Sequence, residues 1–375
     1  MIDIAVAYSN FATSKSGGAR ESLLTLLDGL AEHYDITVDV YQTPPTDDFP
    51  ETQYPYKVHV KDTVEIPKFT WTNQVFERYQ WRRYLNRELG DDHDILITQN
   101  ELAPASISVA NANEIPSLLF IRSMALTGYE KYNPDQGLVS NILNTDLGGR
   151  TQYPFLKRNF HEYEKAATAS TRTIANSQFT AEKIRGLFEA NSEVVYPPIK
   201  LENYRTERDP DGYLTMVNPR AEYKGADIFL DIADKLREEQ FLLVGPISSE
   251  SIRKRGERME NVSHWNWCDD MREAYSVSKL VVVPSRVEEA FGRVPAEAMV
   301  SGIPCVVSNR GGLPEVVGDT GEVVSEVDST THWVEAIKTA LSNHNPKAQQ
   351  DHVTQFSAEL QVQKLINIIS CVTDK

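Results

Sequence analysis

Short apolar runs alternate with stretches of helical period along most of this chain, and that alternation restricts the fold more than any other feature. Ile4–Ala7 leads through a glycine-containing turn into a helical pattern marked by Leu23, Leu24, Leu26, Leu27 and Leu30. Ile36–Tyr41 alternates as a half-buried strand does. Ile95–Ile97, Ser117–Ile121 and Thr173–Ala175 read as strands buried on both faces. Asn176-Ser177 stands where it would cap a helix over Thr180–Leu187. Strands alternating with helices build βαβ units and parallel sheets, so the expected class is α/β.

The alternation breaks once. Val194–Ile199 runs into a polar stretch, Lys200–Gly212, that ends in the turn sequence Asp209-Pro210-Asp211-Gly212. It restarts with Tyr213–Val217, a helix near Ala226–Leu236, and strands at Phe241–Val244, Leu280–Val283 and Cys305–Ser308. With 375 residues to distribute, the chain divides into domains at 1–200 and 201–354, both doubly wound and of similar size. Ala358–Val372 is apolar at helical spacing.

Composition narrows the function. Thirty-eight basic against 54 acidic residues leave a net charge of −16, which argues against nucleic acid as a partner, since phosphate binding needs a basic face. Cys268, Cys305 and Cys371 are far apart and form no CxxC pair, so a reducing cytoplasm is the expected location. No stretch approaches the roughly 20 apolar residues of a membrane span, and Met1–Tyr8 reads as a strand, not a signal peptide. The expectation is a two-domain cytosolic enzyme.

The densest local signal is Val281–Met299. A strand ends at Val283, Glu289 falls in a loop, Phe291-Gly292 turns the backbone, and Pro295 suits the first turn of a helix that carries Glu297. One loop carboxylate and one helix carboxylate can then face a single crevice, beside helix N–H groups suited to a phosphate. Carboxylates accept hydrogen bonds from vicinal hydroxyls, and a phosphate next to a sugar describes a nucleotide sugar. Taken alone, Glu288, Glu289 and Glu297 also read as ordinary solvated charges.

The context favours the first reading. The stretch through Gly302–Ser308 to Gly311-Gly312-Leu313-Pro314-Glu315 resembles the donor-site signature of group 1 (family 4) retaining glycosyltransferases, whose Glu-x7-Glu spacing Glu289 and Glu297 share. Gly17-Gly18 resembles that family's N-terminal glycine loop. Asn176–Thr180 followed by Val194–Ile199 resembles the end of its first domain, and Asn218–Gly225 its basic phosphate loop. The resemblance implies the GT-B fold: two Rossmann-like, doubly wound parallel-sheet domains facing a central cleft, with the second holding the nucleotide sugar. It implies that the final helix, about 355–375, packs back on the first domain, and that no metal or other cofactor is bound. Glu297 would hold the ribose, Glu289 the donor sugar, and Arg220 and Lys224 the diphosphate, with Phe291, Gly292 and Arg293 at the donor site and Gly17 and Gly18 approaching the phosphates.

Two departures from the family pattern matter. The basic loop reads Arg220-x3-Lys224 where relatives often show Arg-x4-Lys, which makes Lys224 the firmer phosphate ligand. Arg122 stands where relatives often place a histidine after the strand Ile115–Ile121. It reads either as a structural residue at a strand end or as a contact to the donor, where a bidentate pair would favour an acidic sugar such as a uronic acid.

Other signals point elsewhere or nowhere. Asp92-His93-Asp94 matches DxD but precedes a strand, where carboxylates serve a turn. The histidines show no metal-ligand spacing, and Ser16-Gly17-Gly18 is not a dinucleotide fingerprint. Phe69–Arg87 combines Phe69, Trp71, Phe76, Tyr79, Trp81 and Tyr84 with Arg78, Arg82, Arg83 and Arg87. It reads either as a helix burying its aromatic face beneath extended arginines, or as a peripheral contact with an anionic membrane or a lipid-linked acceptor. Tyr129–Tyr153 is a long connection that could act as an acceptor-side lid. The expected activity is retaining transfer from a nucleoside diphosphate sugar, a UDP-sugar being the expected donor, to a glycan or lipid-linked hydroxyl in polysaccharide synthesis. A nucleotide-sugar epimerase, a phosphorylase on the same fold, and a non-catalytic nucleotide-sugar scaffold remain as alternatives.

Overall fold

The chain divides into two units, Met1–Tyr196 with Gln361–Lys375, and Pro197–Leu360. The structure is a computed structural model, and it describes residues 1–373 apart from 10, 12–17, 45–55, 63–69, 91–92, 130, 133, 135 and 144–149.

The first unit is built on a seven-stranded sheet of order β3-β2-β1-β4-β5-β6-β7. Its strands are β1 (Ile2–Tyr8), β2 (Ile36–Gln42), β3 (Lys57–Val60), β4 (Ile95–Gln99), β5 (Ser117–Ile121), β6 (Arg172–Ala175) and β7 (Glu193–Val194), and every neighbouring pair is parallel. β4 and β5 are buried at every position, which is why they carry the unbroken apolar runs Ile95–Ile97 and Leu118–Ile121 instead of an alternating pattern. The helices are α1 (Gly18–His33), α2 (Thr70–Glu88), α3 (Ala103–Ala112), α4 (Leu138–Leu143), α5 (Tyr153–Ala169) and α6 (Gln178–Phe188). α1 packs Leu23, Leu26, Leu27 and Leu30 onto Ile4, Val6, Val38 and Val40. Ser177 caps α6, its side chain accepting from the Thr180 N–H at 3.0 Å. The connection after Tyr129 contains a helix of its own, α4.

The second unit repeats the plan with six strands in the order β10-β9-β8-β11-β12-β13. They are β8 (Tyr213–Val217), β9 (Phe241–Val244), β10 (Val262–Trp265), β11 (Ser278–Val283), β12 (Cys305–Ser308) and β13 (Glu322–Val324), again all parallel. Around them lie α7 (Ala226–Lys235), α8 (Glu250–Gly256), α9 (Met271–Ser276), α10 (Arg293–Met299), α11 (Leu313–Val317), α12 (Thr330–Ser342) and α13 (Pro346–Val353). Phe229, Ile232 and Ala233 of α7 join Leu214, Phe241 and Val282 in one core, together with Trp333, whose indole N–H donates to the Val327 carbonyl at 2.7 Å.

The last helix, α14 (Ala358–Thr373), starts in the second unit and ends in the first, where Val362, Leu365, Ile366 and Ile369 join the core with α1. Full burial of an aliphatic side chain is worth about 1.5–3 kcal/mol, so this stripe attaches the helix firmly. Gly29 of α1 leaves the space that Val362 occupies; a Cβ there would overlap the valine.

Candidate functional site

A sheet whose strand order reverses leaves a crevice beyond the carboxyl ends of the strands at the reversal. In the second unit those strands are β8 and β11. A cleft of about 190 Å³ lies there, lined by Asn218, Lys224, Pro284, Glu289, Gly292 and Arg293 among others.

Three loops form it. The loop after β8 passes through Asn218, which has a left-handed φ of 59°, and a single 3₁₀ turn, Glu222–Lys224, before Gly225. Gly225 also has a positive φ, 80°, and a Cβ there would run into the Pro284 carbonyl, so only glycine lets this loop lie against the loop after β11. The Arg286 N–H donates to the Tyr223 carbonyl at 2.8 Å. The Arg286 guanidinium grips Asp227 with two bonds of 2.7 Å and holds that carboxyl below its usual range. From the other side, the loop after β12 meets Glu289: Gly311 bridges to it and the Gly312 N–H donates to its carbonyl at 2.7 Å.

This lacing brings the charges together. Lys224 Nζ donates to Glu289 Oε1 at 2.5 Å, and Ser285 Oγ donates to the same oxygen at 2.9 Å. Both side chains are only partly screened, 26% and 19% exposed. Glu297 lies deeper, 8% exposed on α10. Its Oε1 accepts from Arg293 Nε and its Oε2 from the Tyr275 hydroxyl, each at 3.1 Å. The Arg293 guanidinium also reaches the Tyr204 hydroxyl at 3.3 Å. Burial raises the Tyr275 phenol far above its usual pKa, and the Glu297 charge adds to the effect, so the phenol stays a donor. Burial works against the Arg293 charge, but Glu297 and Tyr204 outweigh it and raise that pKa.

The remaining sequence-derived residues fall in other places. Arg220 lines a neighbouring cavity of about 420 Å³ with Tyr223, Asp227 and Arg286, and its carbonyl accepts from the Ser248 N–H at 3.2 Å. The Phe291 ring is buried against Phe356, centroids 5.1 Å apart. α10 opens at Arg293, two residues before Pro295, which places Glu297 just past its first turn. Arg122, in the first unit, follows β5; its Nε donates to Gln99 Oε1 at 2.6 Å and its guanidinium lies 4.9 Å from the centre of the Phe120 ring. Gly18 is the first residue of α1, while Gly17 and Phe69 lie outside the described residues. Of the DxD stretch, Asp94 accepts from the Asp3 N–H at 2.9 Å and His93 faces Asp39, which are turn-building contacts; Asp92 lies outside the described residues. Among the described residues no group of three or more His, Cys, Asp or Glu side chains is arranged to hold a metal.

α2 shows both faces that its sequence suggests. Trp81, Tyr84 and Arg78 are buried, with Arg78 bound to the Glu101 carbonyl and to Glu162. Phe76 and Tyr79 are exposed, as are Arg82, Arg83 and Arg87. No described helix is long and apolar enough to cross a membrane. Ser285, Tyr204 and Tyr275 carry no sequence signal; they emerge only from their contacts with the two glutamates.

Comparison with known proteins decides the family. Residues 16–203 match the family described as Glycosyltransferase Family 4, half of the chain, and residues 212–343 match Glycosyl transferases group 1. The chain belongs to the group 1, family 4 glycosyltransferases. Among curated relatives, this glycosyltransferase-family chain is 38% identical over 101 residues to the D-inositol 3-phosphate glycosyltransferase of Corynebacterium aurimucosum, covering 25% of the chain and 24% of that protein. Two solved structures share its fold at full length. Sucrose-phosphate synthase from Thermosynechococcus elongatus aligns with a TM-score of 0.73 at 16% identity, covering 100% of both chains. HepE of Anabaena, solved in complex with UDP-glucose, aligns with a TM-score of 0.69 at 16% identity, covering 98% of this chain and 99% of that one. Both are GT-B relatives in architecture, which is the expected class of two Rossmann-like α/β domains.

Proposed function

We propose that this chain transfers a sugar, with retention, from a nucleoside diphosphate sugar to a hydroxyl of a glycan or lipid-linked acceptor, and that the donor is a UDP-sugar. The observation that carries the reading is the convergence of Lys224, Glu289 and the Arg293–Glu297 pair at the reversal point of the second sheet. The UDP-glucose complex of HepE supports the choice of base by analogy of fold.

Each residue has a coherent task. Departure of a nucleoside diphosphate builds negative charge on its phosphate oxygens, and a fixed cation aimed there stabilises the transition state. Lys224 has three N–H donors, so it can retain Glu289 while turning another donor to the diphosphate; Arg220 assists from the same loop. Glu289, steadied by Ser285, accepts hydrogen bonds from the donor sugar. Glu297 accepts those of the ribose. The acceptor hydroxyl attacks from the leaving-group side and the departing phosphate takes its proton, so no protein nucleophile and no metal or other cofactor enters the reaction. The family resemblance assigns Gly17, Gly18 and Arg122 to the donor as well. The enzyme works in the cytoplasm, and the exposed Phe76, Tyr79 and arginines of α2 bring it to an anionic membrane when the acceptor is lipid-linked.

A panel of nucleoside diphosphate sugars scored by thermal shift tests the donor, because ligand binding to the native state raises the melting temperature. Incubation with labelled donor then separates the classes: transfer with release of UDP supports this reading, isomerised sugar indicates an epimerase, and binding without turnover a scaffold. The donor-site assignment fails if no donor shifts the melting temperature and Glu289→Ala and Glu297→Ala leave activity in the host intact.

A further inference from the structure

Glu297 is held in an unusual way for a group that must meet a ligand. Both carboxylate oxygens are engaged by the protein, one by Arg293 at the rim of the cleft and one by Tyr275 from within the core. Tyr275 is 0% exposed, so no ligand reaches it. It is fixed by a six-residue helix, α9, capped by the Asp270 carboxylate, and by the Tyr204 ring 6.4 Å away. Tyr204 is tied in turn to the end of α10, its carbonyl accepting from Ser301 Oγ at 2.8 Å. Arg293 therefore holds the carboxylate from Glu297's own helix, four residues before it, and Tyr275 holds it from a separate element, α9. A carboxylate offers about four lone-pair sites; Arg293 and Tyr275 take one on each oxygen, the Tyr204 hydroxyl also interacts with the carboxylate, and the sites left over lie in a plane held from two sides.

We infer that Tyr275 is a positioning residue which fixes the plane of Glu297 so that its free lone pairs select a vicinal diol, making discrimination between ribose and deoxyribose in the donor depend on a side chain that touches no ligand. The inference rests on the proposed role of Glu297 in holding the ribose. It adds that orientation, not the carboxylate alone, supplies the selectivity. Without the phenol, the buried oxygen loses its donor and the carboxylate turns toward Arg293 or Tyr204, presenting one lone pair where two are needed.

The test uses the full chain and measures Kd for UDP, GDP, ADP and CDP and for their 2′-deoxy counterparts by titration calorimetry, taking the tightest pair. A hydrogen bond to a charged group is worth about 1.5–3 kcal/mol, so the wild type should prefer the ribonucleotide by roughly 10- to 100-fold. Tyr275→Phe should weaken the ribonucleotide by most of that factor, leave the deoxynucleotide unchanged, and bring the ratio to about 1–3. Adding Tyr275→Phe to Glu297→Gln should change nothing further, since the two act as one unit. Equal weakening of both nucleotides, or a ratio kept at the wild-type value in Tyr275→Phe, overturns the inference while the ribose role of Glu297 stands. A ratio kept in Glu297→Gln removes that role, and the inference with it; failure of every nucleoside diphosphate to bind removes both. Should Tyr275→Phe not fold, 4-aminophenylalanine at position 275 keeps a weaker donor in the same place: a reduced ratio supports the inference and an unchanged one overturns it.

Discussion

The two sheets share the strand order 3-2-1-4-5-6 from the edge, to which the first adds a seventh strand, and each reverses beside its first strand, yet the two reversal points differ. In the second unit the ends of β8 and β11 open on a cleft where Lys224, Glu289, Arg293 and Glu297 answer one another's charge. In the first, the described residues at the ends of β1 and β4 gather side chains. Tyr8 is 9% exposed with its phenol pKa raised by burial, Ser9 bonds to Glu101, and Arg122, just after β5, lies against Gln99 and Phe120. Topology supplies a crevice in both cases; the loops decide what it becomes. The loops of the second unit bring backbone against backbone through Gly225 and Gly311, which leaves room for charged side chains to converge.

If that contrast reflects a division of labour, replacing the key cation in each unit should give unequal losses. Lys224→Met removes the proposed charge beside the leaving diphosphate and should lower kcat by about 10²–10³, the usual effect of deleting one preorganised donor. Initial rates with labelled donor read this directly. A loss under tenfold would place the stabilising charge elsewhere and dissolve the contrast.

The structural half of the comparison predicts a smaller effect, on stability. Gly225→Ala sets a Cβ against the Pro284 carbonyl at a positive φ and should cost about 1–3 kcal/mol. Gly186, in α6 of the first unit, has open space around its Cα. Gly186→Ala should instead stabilise by about 0.4–1 kcal/mol. Urea unfolding of both variants checks the pair of signs, and two losses of equal size would refute the special standing given to the second unit's loops.

The same division explains what was legible in the sequence. β5, β8, β9 and β12 match their sequence-derived limits residue for residue, because interior strands of a parallel sheet are written as short, mainly apolar runs. β3, β10 and β13 have no such signature. They lie at or next to sheet edges or are short, and their residues are largely half-exposed, so Lys57, His59, Ser263, His264 and Glu322 dilute the pattern. At the candidate site, the eight-residue interval from Glu289 to Glu297 is a local property and visible. The partners of those glutamates are not: Lys224 reaches Glu289 from the loop after β8 and Tyr275 reaches Glu297 from α9, 65 and 22 residues away.

Arg122 gives a third and lesser effect, which bears on selectivity more than rate. If its guanidinium pairs with an acidic donor sugar, Arg122→His should reduce the preference for a uronic acid donor over its neutral counterpart by about tenfold, the scale of one charge-assisted contact. Competition between the two donors measures the ratio. An unchanged ratio would make Arg122 a strand-end support for Gln99 and leave all recognition of the donor to the second unit.

The smallest effect comes from His344, in the second unit, and it shows how far the charge pattern there extends beyond the cleft. Its Nε2 is 2.7 Å from the Gly302 carbonyl and 3.1 Å from Gln349 Oε1, so that nitrogen carries the proton. Its Nδ1 is 3.1 Å from the Arg208 guanidinium and must accept. Burial lowers the imidazole's pKa, and Arg208 lowers it further, since a second proton would turn Nδ1–H toward a cation. Near pH 7 the neutral ring suits the folded state. As pH falls below about 6.5, the unfolded chain takes up a proton that the folded one resists, so stability declines through that value and toward the lower folded pKa. His344→Gln keeps a hydrogen-bonding side chain without the titration. Its melting temperature should lie below the wild type's at pH 7.5, with the gap narrowing as pH drops from 6.5 to 5. A gap that stays constant across that range would mean that His344 supports the Gly302 turn by its contacts alone, and that charge matters in the second unit only where Lys224, Glu289 and Glu297 meet.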